Sequence, residues 1–227
     1  MNLLSKRESI FILGLLSMNL LECLVGIALC TLLLNPLLKT SADLLTKQIQ
    51  YEKTHALISE AERALELIGR AIRMAGYQNV KSIQLVGNQK NMNSPIEIRK
   101  RSGYQGSDTL VVRYELSDSV DFDCIGNVLT SDRTKQNLAL QGFQVDRQAG
   151  LSKGIKVNGG SLICQSLDRQ GRIQNTTLMN GVNALKIDEL QPLMDQGRRA
   201  FRVKLEMTDG VSIQKEFERT FTTRNLP

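Results

Sequence analysis

The sequence predicts an α+β chain: one long N-terminal helix, transmembrane in its first half and amphipathic in its second, packed on an antiparallel β-sheet domain. Three observations predict it. Residues 10–38 form an almost wholly apolar run, the only stretch in the sequence long enough to span a bilayer. Helical spacing of apolar residues then continues to Gly76. Beyond Gly76 the spacing changes to two, the period of a strand with one buried face.

The apolar run carries a single carboxylate, Glu22, near its middle. At the centre of a membrane helix such a charge costs about 2.5–3.5 kcal/mol on translocon-based scales. Read whole, the run exceeds the roughly 20 residues a bilayer requires and holds its charge at the worst depth. A cut between Ser17 and Met18 changes both facts. It leaves residues 18–38, about 31 Å of helix, and puts Glu22 about one turn from a new α-amine, a cation with an ordinary pKa of about 7.7–8.0. An acid in the first turn also complements the positive end of the helix. In a bundle of similar helices staggered by a small axial step, the carboxylate of one chain meets the amine of its neighbour, which neutralises both and fixes their register.

The second half of the helix, residues 39–76, reads as amphipathic. Leu57, Ala61, Ala64, Leu65, Ile68, Ala71, Ile72 and Ala75 recur on one face, and Glu60, Glu62, Arg63, Glu66, Arg70 and Arg73 take the other positions. Pro36 removes one backbone hydrogen bond and predicts a bend, and Gly76 is placed to end the helix in a left-handed cap. Residues 77–227 then form the sheet domain. Strands are predicted over residues 109–116, 161–167, 184–190, 200–207 and 211–221. The last two are joined through Thr208, Asp209 and Gly210, a hairpin signal. Polar loops are expected at residues 88–94 and 117–136.

The formal charge is +6, spread along the chain. Lys6 and Arg7 ahead of the apolar run favour a cytoplasmic N-terminus, against the weaker vote of Lys39 and Lys47 beyond it. The sheet domain is therefore expected outside an inner membrane. Cys23 and Cys30, seven residues apart inside the run, read as small buried hydrophobes. Cys124 and Cys164 lie in the soluble part, and an even pair in an oxidising compartment is a candidate disulfide. Closing a loop of that length stabilises a fold by about 4 kcal/mol in the chain-entropy model. Spacing alone leaves two unpaired core thiols in a cytosolic domain as the alternative.

Catalytic material is sparse, and no enzyme and no cofactor is predicted. The one histidine, His55, falls on the helix away from any catalytic partner. Gly103, Gly106 and Ser107 lack the Gly-Lys-Ser/Thr and the helix of a phosphate loop and read as a tight turn before a strand. Asp118, Asp121 and Asp123 offer oxygen ligands for calcium without EF-hand spacing. The basic clusters Arg99, Lys100, Arg101 and Arg198, Arg199, Arg202 are not interleaved with stacking aromatics, and there is no Trp, so they read as solvated strand ends rather than a nucleic-acid site.

"MNLLE" after the proposed cut, with a short basic segment before it and an apolar helix after it, resembles the N-terminal signature of type IV pilins and pseudopilins. "RAIRMAGYQN", "GSDTLVVRYE", "DCIGN", "LIC", "LMNGVNALKIDE" and "FTTRN", in that order, are similar to the minor pilins of the PilW family and cover most of the chain past Arg70. Two features depart from the pattern: Ser17 stands before the cut where the family nearly always has Gly, and the leader is long and apolar. The resemblance implies a type IV pilin-like fold. It also implies a leader, residues 1–17, removed by a prepilin peptidase at Ser17–Met18, N-methylation of Met18, and Glu22 as the assembly carboxylate.

The function so implied is that of a minor type IV pilin, which joins other minor pilins to initiate pilus assembly and sits at or near the fibre tip. Its expected partners are the peptidase, the other minor pilins, the major pilin, a tip adhesin and the inner-membrane assembly platform. The subunit begins as a single-pass inner-membrane protein with its C-terminal domain in the periplasm and ends in a surface fibre. Within the same fold the alternative is a minor pseudopilin of a type II secretion system. In other classes the alternatives are a signal-anchored periplasmic enzyme, disfavoured by the missing catalytic residues, and a signal-anchored adhesion or DNA-binding module.

Overall fold

The computed structural model describes residues 20–79, 94–134, 137–148, 159–190 and 199–225. Among these residues one helix, α1 (Leu20–Met74), is followed by nine strands: β1 (Ile96–Arg99), β2 (Thr109–Glu115), β3 (Asp121–Phe122), β4 (Val128–Leu129), β5 (Leu138–Asp146), β6 (Gly160–Leu167), β7 (Ile173–Leu190), β8 (Ala200–Thr208) and β9 (Gln214–Thr222). Seven of them form one sheet in the order β1-β2-β5-β6-β7-β8-β9, and β3 pairs with β4 alone. Every pairing is antiparallel. The sheet is thus a meander whose single detour, between β2 and β5, holds the β3–β4 hairpin. The chain divides into two compact units, residues 1–52 and 53–227.

In the first unit the helix is apolar and exposed. It continues unbroken through Pro36, and Leu24, Leu33 and Leu38 are each more than half exposed. It is long and apolar enough to cross a membrane, which is compatible with a single-pass anchor. Its threonine hydroxyls are satisfied locally: Thr31 donates to the Ala28 carbonyl at 2.9 Å, Thr40 to that of Pro36 at 2.7 Å and Thr46 to that of Ala42 at 2.9 Å. Such back-bonding within the segment is what hydrocarbon demands of a polar side chain.

In the second unit the last turns of α1 pack on the sheet. Every position expected on the buried face, from Leu57 to Ala75, is in the core, together with Gly69. Burial begins only at Leu57, so the packing part of the helix is shorter than residues 39–76; Leu44, Leu45, Ile49 and Tyr51 remain exposed. Ala and Leu suit this helix because they lose little or no side-chain entropy and present an even surface. Opposite them stand Leu110, Val112, Phe143, Leu162, Leu185, Phe201 and Leu205 of the sheet. Gly76 adopts φ 71°, as a left-handed cap requires. Its N–H donates to the Arg113 carbonyl at 3.0 Å, while the Tyr77 N–H returns to the Met74 carbonyl at 3.0 Å, so the helix terminus is tied both to β2 and to its own last turn.

The five predicted strands are present with shifted bounds. β7 begins eleven positions before residue 184, because Asn and Thr at residues 175–177 hide the alternation while pairing with β6 supplies it. β5 was not expected: Gln141 and Gly142 interrupt its apolar face. Residues 117–136, expected as a loop, contain the β3–β4 hairpin. The β8–β9 turn is longer than its Asp-Gly signal implies. The Asp209 carboxylate accepts the N–H groups of Val211, Ser212 and Ile213, each at 2.9 Å, with Gly210 at φ 81°. These donors hold the Asp209 carboxyl at about 2, well below its ordinary range, with Lys53 adding a smaller attraction.

Two predictions test this packing. A Cβ added at Gly69 would lie 2.3 Å from the Phe221 ring, so Gly69→Ala is expected to destabilise by about 1–3 kcal/mol through overpacking, more than the roughly 1 kcal/mol gained in helix propensity. Urea melts of Gly69→Ala alone and with Phe221→Leu check it; the double variant recovers part of the loss. Because the Asp209 pKa is depressed on folding, its ionised form stabilises the fold above the ordinary carboxylate range, and that contribution disappears as pH falls toward 2. Melting of wild type and Asp209→Asn should therefore differ at pH 6 and converge near pH 2.

Candidate functional site

Two features stand apart as candidates for recognition: the exposed apolar stretch of the helix over residues 20–38, with its single carboxylate, and the hairpin that the disulfide fastens to the sheet. Glu22 lies in the first turn of α1 and is the acid of that turn. Leu20, Leu21, Leu24 and Val25 around it are exposed. A carboxylate there meets the positive helix end, and any surface that covers this stretch must accommodate that charge. Ser17 and Met18, the expected cleavage and methylation residues, lie outside the described residues.

Cys124 and Cys164 form a disulfide, with Cα atoms 6.2 Å apart. The pairing answers the question of bonding that their spacing left open. Cys164 is fully buried on the core face of β6, opposite Phe143 of β5. Cys124 belongs to the turn between β3 and β4, so the bond clamps that hairpin over the sheet. Two further anchors serve the same end. Arg133, only 12% exposed, donates to the carbonyls of Val128 and Leu167 at 2.7 and 2.5 Å and lies 3.5 Å from the buried carboxylate of Asp123. Gln141 donates to the Tyr114 hydroxyl at 2.8 Å and to the Phe122 carbonyl at 3.0 Å. Burial pushes the Tyr114 hydroxyl pKa upward, so it stays a neutral partner.

The aspartates considered for calcium are engaged in this framework. Asp121 accepts the Ser117 N–H at 2.6 Å and its hydroxyl at 3.0 Å. Asp123 accepts the N–H groups of Ile125 and Asn127 at 3.0 and 2.8 Å. Asp118 accepts the Asn79 amide at 2.9 Å. They organise separate turns, and among the described residues no three His, Cys, Asp or Glu side chains gather as a metal site.

Arg99, Lys100, Arg199 and Arg202 of the basic clusters make ion pairs. Arg99 contacts Glu97 at 2.7 Å, and Lys100 contacts Asp188 and Asp108 at 2.9 and 3.1 Å. Arg199 meets Glu189 with two hydrogen bonds of 2.6 and 2.9 Å, which hold the Glu189 carboxyl below its usual range. Arg202 contacts Glu218 at 3.1 Å, while Arg198 lies outside the described residues. His55 is on the exposed side of α1, and Gly103, Gly106 and Ser107 bracket a single 3-10 turn ahead of β2.

Sequence reasoning did not single out Arg133, Gln141 or Asp108. Asp108 is buried and accepts from the Arg101 and Ile187 N–H groups at 2.9 Å each, stitching the turn before β2 to β7. The only local signal for it was a carboxylate at the mouth of a strand, which does not specify a partner 79 residues away.

The disulfide leads to an expected outcome. In the native protein Cys124 and Cys164 should resist alkylation until reduced, and Cys124→Ser should lower stability by about 2–5 kcal/mol, the usual loss for a native bridge; mass spectrometry of labelled protein and denaturant melts measure the two. Comparison of the chain with family models, with curated proteins and with solved structures gives no match in any of the three.

Proposed function

We propose that this chain is a type IV pilin-like subunit, of the minor-pilin kind that the PilW-like segments resemble, and that it acts by assembly rather than by catalysis. The observation that carries the reading is a helix used in two ways. Its C-terminal part is buried in a sheet domain, whereas its N-terminal part is apolar, exposed and marked by one carboxylate in the first turn. A plain anchor gains nothing from that acid and bears its desolvation cost. An assembling helix uses it, because the α-amine of a neighbour, freed by cleavage between Ser17 and Met18, is a cation that this carboxylate attracts.

In this reading a prepilin peptidase removes residues 1–17 and methylates Met18. The subunit waits in the inner membrane with the sheet domain in the periplasm. It then joins other minor pilins through the exposed helix to initiate a fibre, with the assembly platform below and the major pilin and a tip adhesin as further partners. The disulfide supports the periplasmic placement, since structural disulfides persist in oxidising compartments.

Glu22→Gln keeps the size of the side chain and removes its charge. The variant should insert, fold and form its disulfide, yet recruit partner pilins poorly. A broken buried ion pair costs about 3–5 kcal/mol, less where the interface admits water. Co-purification with the other minor pilins and a count of surface fibres read the effect; wild-type values of both would sink the proposal. The intact mass of the mature chain should correspond to a methylated Met18 terminus, and Ser17→Gly should make cleavage faster or more complete.

A further inference from the structure

We propose that the edge of β7 at residues 173–181, which no described strand covers, receives an uncharged extended segment of a different subunit by β-strand addition, an interaction that rests on the assembly reading above. β7 pairs with β6 from Ile173 to Val182, but β8 pairs with it only from Val182 to Leu190. Among the described residues, 173–181 therefore have a strand on one side only. Ile173 is 61% exposed, and Asn175, Thr177 and Asn180 are exposed as well.

The fold explains why β8 stops there. β7 carries extra residues at Leu178 and Gly181 relative to β6, and bulges of this kind bend a strand and increase its twist. Gly181 has φ 75°, and the Thr208 carbonyl lies 2.5 Å from where its Cβ would be. The end of β8 closes on that glycine and turns away into the 209–213 loop.

Exposed strand edges are usually blunted by charge, proline or shortness. The two outer strands of this sheet follow the rule: β1 has four residues and carries Glu97 and Arg99, and β9 carries Lys215, Glu216, Glu218 and Arg219. The β7 edge reads Ile-Gln-Asn-Thr-Thr-Leu-Met-Asn-Gly, with neither charge nor proline. Unpaired backbone groups on a neutral, β-compatible strand recognise extended backbone. Gln174 also lines a cavity of about 670 Å³ with Asn127, Thr130, Arg133 and Asp168, beside the disulfide-held hairpin, where an amide or hydroxyl side chain of the added strand finds donors and acceptors. A second copy fits poorly. Its β1 is short and its β9 is charged.

The test is amide hydrogen exchange on the full chain in detergent, alone and co-purified with its minor pilins. In the isolated chain about half of the amides in residues 173–181 should exchange fast, and in the complex they should slow by about tenfold or more. Asn175→Lys with Thr177→Lys, both on the exposed side, should leave melting and disulfide formation unchanged and weaken recruitment by about tenfold. Unchanged exchange in a wild-type complex, or undiminished recruitment by the double-lysine variant, overturns strand addition while leaving the assembly reading intact. Concentration-dependent protection of the isolated chain would assign the edge to self-association and overturn it too. A wild-type chain that recruits no minor pilin overturns the assembly reading itself.

Discussion

The sheet domain depends on covering one face of a seven-stranded antiparallel sheet. That face presents Leu110, Val112, Phe143, Leu162, Leu185, Ile187, Phe201, Val203 and Leu205, and burying a side chain of this size is worth about 1.5–3 kcal/mol relative to exposure. The Leu57–Ala75 face of α1 supplies the principal cover. Its alanines let helix and sheet approach closely, and Gly69 admits the ring of Phe221. Where the helix ends, the disulfide-held hairpin lies over β6, with Arg133 donating to the Leu167 carbonyl of β6 and Gln141 of β5 donating to the Phe122 carbonyl of the hairpin.

The other face needs no such cover. Lys186–Glu206, Arg202–Glu218 and Lys204–Glu218 form cross-strand ion pairs at 3.3, 3.1 and 3.0 Å. Pairs this exposed add little stability each, but alternating signs keep the surface hydrated and discourage edge pairing at β9. Apolar residues inside, balanced charges outside and one neutral stretch on β7 give the domain surfaces of distinct chemistry.

α1 joins two solvents' requirements in one element. Over its first unit the threonines turn inward to their own backbone and the leucines outward, the arrangement suited to lipid or to other apolar helices. Over its last turns the apolar residues retreat to a single face and acids and arginines take the rest. Glu66 and Arg73, 2.8 Å apart on the exposed side, are typical of the second regime, and Glu22 is the exception within the apolar residues 20–38 of the first. That exception carries the proposed function.

Local sequence patterns determined the helix, its apolar and amphipathic halves, its end at Gly76 and the strands with clean alternation, because each is set by periodicity or by one residue's backbone preference. The residues buried from Leu57 to Ala75 were legible for that reason, and so was Glu22 as the misfit in an apolar run. Spacing made Cys124 and Cys164 candidates for a disulfide and no more, since pairing requires two Cα atoms brought within bonding reach. Tertiary structure decided that pairing, as it decided β5 across Gln141 and Gly142, the long first half of β7, and the engagement of Asp108, Asp121 and Asp123. Their partners lie on other strands or in turns whose shape the fold imposes. A hydrogen bond between residues 79 positions apart leaves no periodic trace, because it exists only once the sheet has set the two backbones side by side.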